Sequence, residues 1–341
     1  MTLRISHVVR VAMTSALLVL VIGVPASEAG KRHPKCFGRV ATIVTDKPTI
    51  TGTSHTDVIV ATGTRGDTIR AMGGNDYVCS GLGNDIVDGG KGDDKIDGGP
   101  GDDGGRRCLD PSFVLNGGPG DDKIRGGDGT DCLTGRAGDD VLGGGPGDDF
   151  LVGGPAKDRL NGGIEGSFGD TASFGGLSSP VTANLDAGVA RSRAGRDDMD
   201  DIENLVGTRF GDRLIGSSGA ASVDFISGEL GDDVIDGNGG RISYVSYFLT
   251  DGPETVNLGA GTASGPDGND TLIEITAVDG SQFPDTITGG DGDDLIVGQA
   301  GDDTLDGGGG TDSGDGGPGI DTCTNFETGP SGGTAADNCE A

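Results

Sequence analysis

From Ala71 to Asp103 long polar stretches alternate with single apolar positions at a fixed spacing. The segment reads AMGGNDYVC, SGLGNDIVD, GGKGDDKID, GGPGDD. Cut into nines, Gly crowds the first four places, Asp holds the sixth, and Val78, Val87 and Ile96 hold the eighth. Places seven and nine are mostly polar, as in Lys95 and Asp97. Polar–apolar–polar over three residues predicts a short strand with one side chain pointing inward. The six residues before it are rich in Gly, Asn and Asp, of which Gly and Asn reach left-handed backbone angles at little cost, so they predict a turn. One turn and one tiny strand bury nothing alone, and the units must stack.

The frame begins weakly in GTSHTDVIV and TGTRGDTIR, with His55 at place four, Asp57 and Asp67 at place six and Ile69 at place eight. Gly104 to about Phe113 interrupts it. It resumes at Val114-Leu115-Asn116 and continues through GGPGDDKIR, GGDGTDCLT, GRAGDDVLG, GGPGDDFLV and GGPAKDRLN. The inward residues there are Ile124, Leu133, Leu142, Leu151 and Leu160; Ala156 replaces a Gly in the last unit. Further units are GELGDDVID, GGDGDDLIV, GQAGDDTLD, GGGGTDSGD and GGPGIDTCT. Their inward residues fade from Ile296 and Leu305 to Gly314, which predicts a stack weakening towards its end.

Two stretches depart from the frame and duplicate each other. Pro180-Val181-Thr182-Ala183-Asn184-Leu185 with Gly207-Thr208-Arg209-Phe210-Gly211-Asp212 returns as Pro253-Glu254-Thr255-Val256-Asn257-Leu258 with Gly280-Ser281-Gln282-Phe283-Pro284-Asp285. Their alternation predicts longer strands lying along the stack, as a wider coil of the same solenoid.

The repeated unit resembles the nonapeptide of the RTX (haemolysin-type) calcium-binding proteins. That resemblance implies an all-β fold, a parallel β-roll or β-solenoid, with two strand-rich inserted modules here. It implies several calcium ions held in the turns, successive turns alternating sides. On the matching positions it implies carboxylate ligands at Asp76, Asp85, Asp94, Asp103, Asp122, Asp131, Asp140, Asp149, Asp233, Asp294 and Asp303, and carbonyl ligands at Gly83, Gly92, Gly101, Gly120 and Gly129. The chemistry agrees: calcium takes six to eight oxygens from carboxylates and carbonyls. Gly lets the backbone curl so that its carbonyls converge.

The layout follows. Residues 1–29 are a signal peptide: Arg4 and Arg10, an apolar run from Val11 to Val24, then small residues before cleavage after Ala29. Residues 30–49 cap the first coil with Cys36, Val40, Ile43 and Val44. Residues 50–168 are the first repeat block, 169–216 the first module, 217–240 a short block, 241–288 the second module, 289–324 the third block and 325–341 a tail. The apolar run is short for a bilayer span and no later stretch is as apolar, so the mature chain is expected to be secreted with no membrane span. An N-terminal signal departs from the C-terminal export signal usual in the resembled family.

The net charge of −31 with 71 Gly and 33% hydrophobic residues is near that of a disordered polymer; only the spacing carries order. Without cations the carboxylates repel, against a core of about one aliphatic residue per unit. The acidic balance, with no basic patch in sight, argues against a nucleic-acid partner. Cys36, Cys79, Cys108, Cys132, Cys323 and Cys339 are an even set in the exported part and are disulfide candidates, with fifteen possible pairings. No CxxC or His spacing supports zinc.

Gly314–Gly319 and Gly329–Gly333 match a dinucleotide fingerprint and a hydrolase elbow by letter alone, without the strands and helices such motifs need. No stretch remains for a catalytic domain. The expected function is a non-enzymatic, calcium-binding repeat protein with a structural or interaction role and an extracellular partner the sequence does not specify. One alternative is an adhesin or toxin-related fragment. The other is a hydrolase or carbohydrate-modifying enzyme using the solenoid surface, which would need clustered aromatics. Only Tyr244, Tyr247 and Phe248 cluster, as expected core of the second module.

Overall fold

A computed structural model describes residues 33–104, 108, 114–219 and 223–326. The described residues contain no helix, and most strands are three residues long, as the polar–apolar–polar triplets predict. Consecutive strands enter opposite sheets, so each strand pairs in parallel with the strand two units away. Val78 thus lies beside Ile96, and Ile124 beside Leu142. Val78, Val87, Ile96, Ile124, Leu133, Leu142, Leu151 and Leu160 are fully buried in one continuous core between the sheets. The break after Gly104 falls between places six and seven of one unit, whose turn keeps Asp103 and whose strand keeps buried Leu115.

One sheet holds thirteen strands and the other eighteen. In the longer one the pairings run in single file from Ile43–Thr45 to Thr322–Thr324, and none joins the two ends, so it is open. The described roll begins and ends in the longer sheet, which gives it one of the five extra strands; the other four come from the two modules. Each adds an antiparallel three-stranded meander, Thr182–Asn184, Val189–Arg191 and Arg196–Asp200 in the first, Thr255–Asn257, Thr262–Gly265 and Gly268–Ile273 in the second. The expected longer strands are therefore corrected to short strands laid side by side. A chain that must return to the core after each inward residue gains width by adding strands.

The ends also differ from expectation. Ile43–Thr45 already pairs with Val58–Ala61 as part of the first coil, and Val40 and Val44 are exposed rather than core. The cap proper is the hairpin of Lys35–Cys36 and Arg39–Val40. At the other end, the Phe326 ring packs against the Cα of Gly314 and fills the gap left by the fading inward residues. The expected signal peptide, and Cys339 with most of the tail, lie outside the described residues.

Disulfides join Cys36 to Cys79 and Cys108 to Cys132, and Cys323 is also disulfide-bonded. The first closes 43 residues and ties the cap to the third coil of the longer sheet. Replacing both cysteines, C36S with C79S, is expected to lower unfolding free energy by about 4 kcal/mol through loop entropy. Urea unfolding of the calcium-loaded variant checks this; an unchanged midpoint would refute it.

Candidate metal centre

Places one to six of each unit reverse the chain, and the place-six Asp closes the turn from within. Asp76, Asp85, Asp94, Asp103, Asp122, Asp131, Asp140, Asp149, Asp233 and Asp303 are at most 2% exposed. They form ladders along the edges of the roll. The backbone N–H of Asp76 donates to Asp94 Oδ1 at 2.7 Å, Asp94 to Asp122 at 2.7 Å and Asp122 to Asp140 at 2.8 Å. On the opposite edge Asp85 donates to Asp103 at 2.8 Å, Asp103 to Asp131 at 2.7 Å and Asp131 to Asp149 at 2.9 Å. Partners on one edge are two units apart, so successive turns do alternate sides.

Only one oxygen of each carboxylate is served in this way. Oδ2 of each of those ten residues is buried without a hydrogen-bond partner. An ionised carboxylate so placed is strongly destabilising unless a cation compensates it. The ion pairs among the described residues lie elsewhere, between Lys157 or Arg196 and Asp198, and between Arg213 and Asp236. Burial therefore pushes the carboxyl pKa values up, against the opposing amide hydrogen bond and with help from neighbouring carboxylates. Asp94, Asp122, Asp131 and Asp149 reach about 7, and Asp103 and Asp233 about 8.

The carbonyl side of the turn is equally regular. The carbonyls of Gly83, Gly92, Gly101, Gly120 and Gly129 each point along the column at the place-four Gly of the next coil, where a Cβ would collide with them. Those glycines also hold positive φ, +151° at Gly101 and +148° at Gly120, which side chains other than hydrogen resist. Ala156 holds φ +106° at the same place, yet Asp158 in its turn keeps the same buried, unpartnered Oδ2. Unpaired carboxylate oxygens and aligned carbonyls are the donor set of a hard cation, and the residues present fit calcium. Among the described residues no three His, Cys, Asp or Glu side chains converge, so carbonyls must complete any such shell.

Not every turn is of this kind. In three turns a hydroxyl at place two already serves the Asp: Thr53 Oγ1 donates to Asp57 at 2.8 Å, Thr208 to Asp212 at 3.0 Å and Ser281 to Asp285 at 2.8 Å. Asp294 likewise departs from its expected equivalence with the others, because Oδ2 accepts the Gly290 N–H at 2.5 Å. We expect T208A with S281A to lower stability by about 1 kcal/mol per lost hydrogen bond while leaving the bound-calcium count unchanged. Ion counting by native mass spectrometry checks this, and a lower count would show that these turns also take metal.

Three ladder residues inside the modules escaped the sequence reading: Asp170, which accepts the Asp149 N–H at 2.7 Å, and Asp197 and Asp270. Asp158 donates its N–H to Asp197 Oδ1 at 2.9 Å, and Asp233 to Asp270 Oδ1 at 2.9 Å. Both sit inside the modules, in Ser192-Arg193-Ala194-Gly195-Arg196-Asp197 and Gly265-Pro266-Asp267-Gly268-Asn269-Asp270, with Met199 and Leu272 at place eight. The six-place Asp and eight-place apolar residue were the available signal.

One further reading is corrected. The aromatic trio is not one core cluster: Tyr247 is buried, Tyr244 stacks on Phe225 at 4.5 Å between centroids, and Phe248 is exposed. Phe248 instead joins Phe150, Phe168, Phe225 and Leu249 around an open cavity of about 500 Å³ on the shorter sheet. Cross-strand register sets exposed Arg196, Arg191 and Arg213 in one row through Thr182, where Arg196 pairs with Asp198 and Arg213 with Asp236.

A family model described as the RTX calcium-binding nonapeptide repeat (4 copies) matches residues 51–87, 80–104, 114–142, 143–165, 206–241, 279–314 and 288–323. Among curated proteins no sequence matches the chain.

Proposed function

The chain belongs to the RTX calcium-binding nonapeptide repeat family, and on that premise we propose that it is a secreted, non-enzymatic protein whose roll folds on binding several calcium ions. One observation carries the proposal: the edge columns of buried carboxylates, each with one oxygen unpaired. The bound ion supplies the positive charge that lets these carboxylates stay ionised out of water. Asp76, Asp94, Asp122 and Asp140 on one edge, and Asp85, Asp103, Asp131 and Asp149 on the other, would hold it with the place-four carbonyls. In the folded roll their backbone hydrogen bonds hold the carboxylates in register.

Secretion is supported by the N-terminal pattern and by the disulfides, which persist in oxidising compartments. The structural or interaction role is supported by the aromatic cavity, because solvent-facing apolar clusters of this size mark binding surfaces. His33 and His55 are both exposed, and the contact of the His55 ring is to the adjacent Ser54 hydroxyl at 3.4 Å, on the surface and outside the aromatic cavity, which favours a non-catalytic reading. No helix of the described residues is long and apolar enough to cross a membrane. Equilibrium dialysis of the purified chain is the test: several calcium ions per chain are expected, and none bound would overturn the reading.

A further inference from the structure

The two modules repeat one another residue for residue in strand register, so each serves as a control for the other. Around one turn they differ together. The first module buries Phe174, Leu177 and Val181 in the core; the second puts Tyr247, Thr250 and Glu254 at the same places, all buried. The first has Ser192 at place one of its hidden unit; the second has Gly265. A Cβ on Gly265 would collide with the Glu254 carboxylate. The changes are therefore coordinated. An apolar interior has become a polar one, and space has been cleared for a carboxylate.

Glu254 is 2% exposed, and its Oε1 has no hydrogen-bond partner. In the regular turns, the place-six carboxylate lies against the place-one Gly, as Asp103 does on Gly98 and Asp122 on Gly117. Here Glu254 takes that spot, and the turn's own Asp270 turns Oδ2 to the Tyr247 hydroxyl, which donates to it at 2.9 Å. The charged groups acting on Glu254 are Asp267, Asp285 and Asp270, all acidic. The place-four carbonyl of Gly231 faces Gly268 just as the carbonyls do in the regular turns.

We propose that Glu254, together with backbone carbonyls of its turn, holds an additional calcium ion in the second module, at a turn outside the matched repeats, and that the first module, with Val181 and Phe174, holds none there. The proposal rests on the calcium reading of the regular turns. Its donors are all oxygens, a carboxylate plus carbonyls, which selects a hard divalent ion. Tyr247 is a positioning residue: its hydroxyl engages Asp270 Oδ2, so that Glu254 and not Asp270 lies at the place-one Gly.

The test counts ions on the full chain by native mass spectrometry in calcium, for the parent, E254V and E254Q. Val is the residue the first module carries at this place, so E254V keeps a packing the fold already uses. Both variants are expected to bind one ion fewer, and metal-free E254V to keep more strand signal than the metal-free parent. An unchanged count in both would overturn the proposal and leave Glu254 a protonated structural acid, which Gln mimics. If E254V fails to fold, E254Q alone decides. A parent that binds no calcium anywhere would bring down the premise as well, and that outcome is distinct from a parent whose ladder fills while the variants lose nothing.

Discussion

Chelation of calcium from the chain at pH 7.4 is expected to abolish most of its far-UV strand signal, and restoring calcium to about 1 mM to bring it back cooperatively. Extracellular modules bind calcium with dissociation constants of about 10⁻⁴ to 10⁻³ M. At that free calcium, linkage contributes roughly 0.4 to 1.4 kcal/mol per site. Over about ten sites the sum is roughly 4 to 14 kcal/mol, comparable with the whole stability of a typical domain. The opposing term is visible in the ladders. With calcium removed, Asp103, Asp131, Asp149 and their neighbours would have to keep ionised carboxylates buried in file, each with one oxygen unpaired. Circular dichroism and bound-ion count, followed together through a titration, check the prediction. Equal strand content in chelator and in calcium would mean that core and disulfides suffice, and would sink calcium-driven folding.

Acidification is expected to do part of what calcium does. In the metal-free roll, burial raises Asp85 and Asp140 to about 6, Asp94, Asp122, Asp131 and Asp149 to about 7, and Asp103, Asp158 and Asp233 to about 8. Unfolded Asp titrates near 3.9. A folded pKa above the unfolded one means that the folded state binds protons more tightly. The resulting stability is full below about pH 4 and is lost as pH rises through the folded values. Metal-free chain should therefore gain strand signal between pH 8 and pH 5. Calcium affinity should fall over the same window, because the ion displaces protons, and calcium added at pH 7 should release protons measurable in a pH-stat. A metal-free chain equally unfolded at pH 5 and pH 8, with no proton release, would show that burying these carboxylates is not what opposes folding.

The period of nine, the inward residue at place eight and the Asp at place six were legible in the chain because they are local. A turn needs Gly, a three-residue strand needs one apolar side chain, and both lie within a single unit. Val78, Ile96 and Leu133 follow from that logic, as do the ladder positions of Asp76 to Asp149. Thr208 and Ser281 at place two were equally visible, but their meaning was not: their hydroxyls donate to Oδ1, while their backbone N–H groups serve the Oδ2 that the regular turns leave unpaired.

What the tertiary structure alone decided involves neighbours brought together by the winding. Cys36 meets Cys79 because the cap folds over the third coil of the longer sheet. Asp158 meets Asp197 across 39 residues because a meander lies between them in the chain but beside them in the sheet. Glu254 reads in the chain as one more acid among many. Only the sheet register places it opposite Gly265 and against the turn of Asp270, with no partner for its second oxygen. In a roll the period is written along the chain, while every column that does chemistry runs across it.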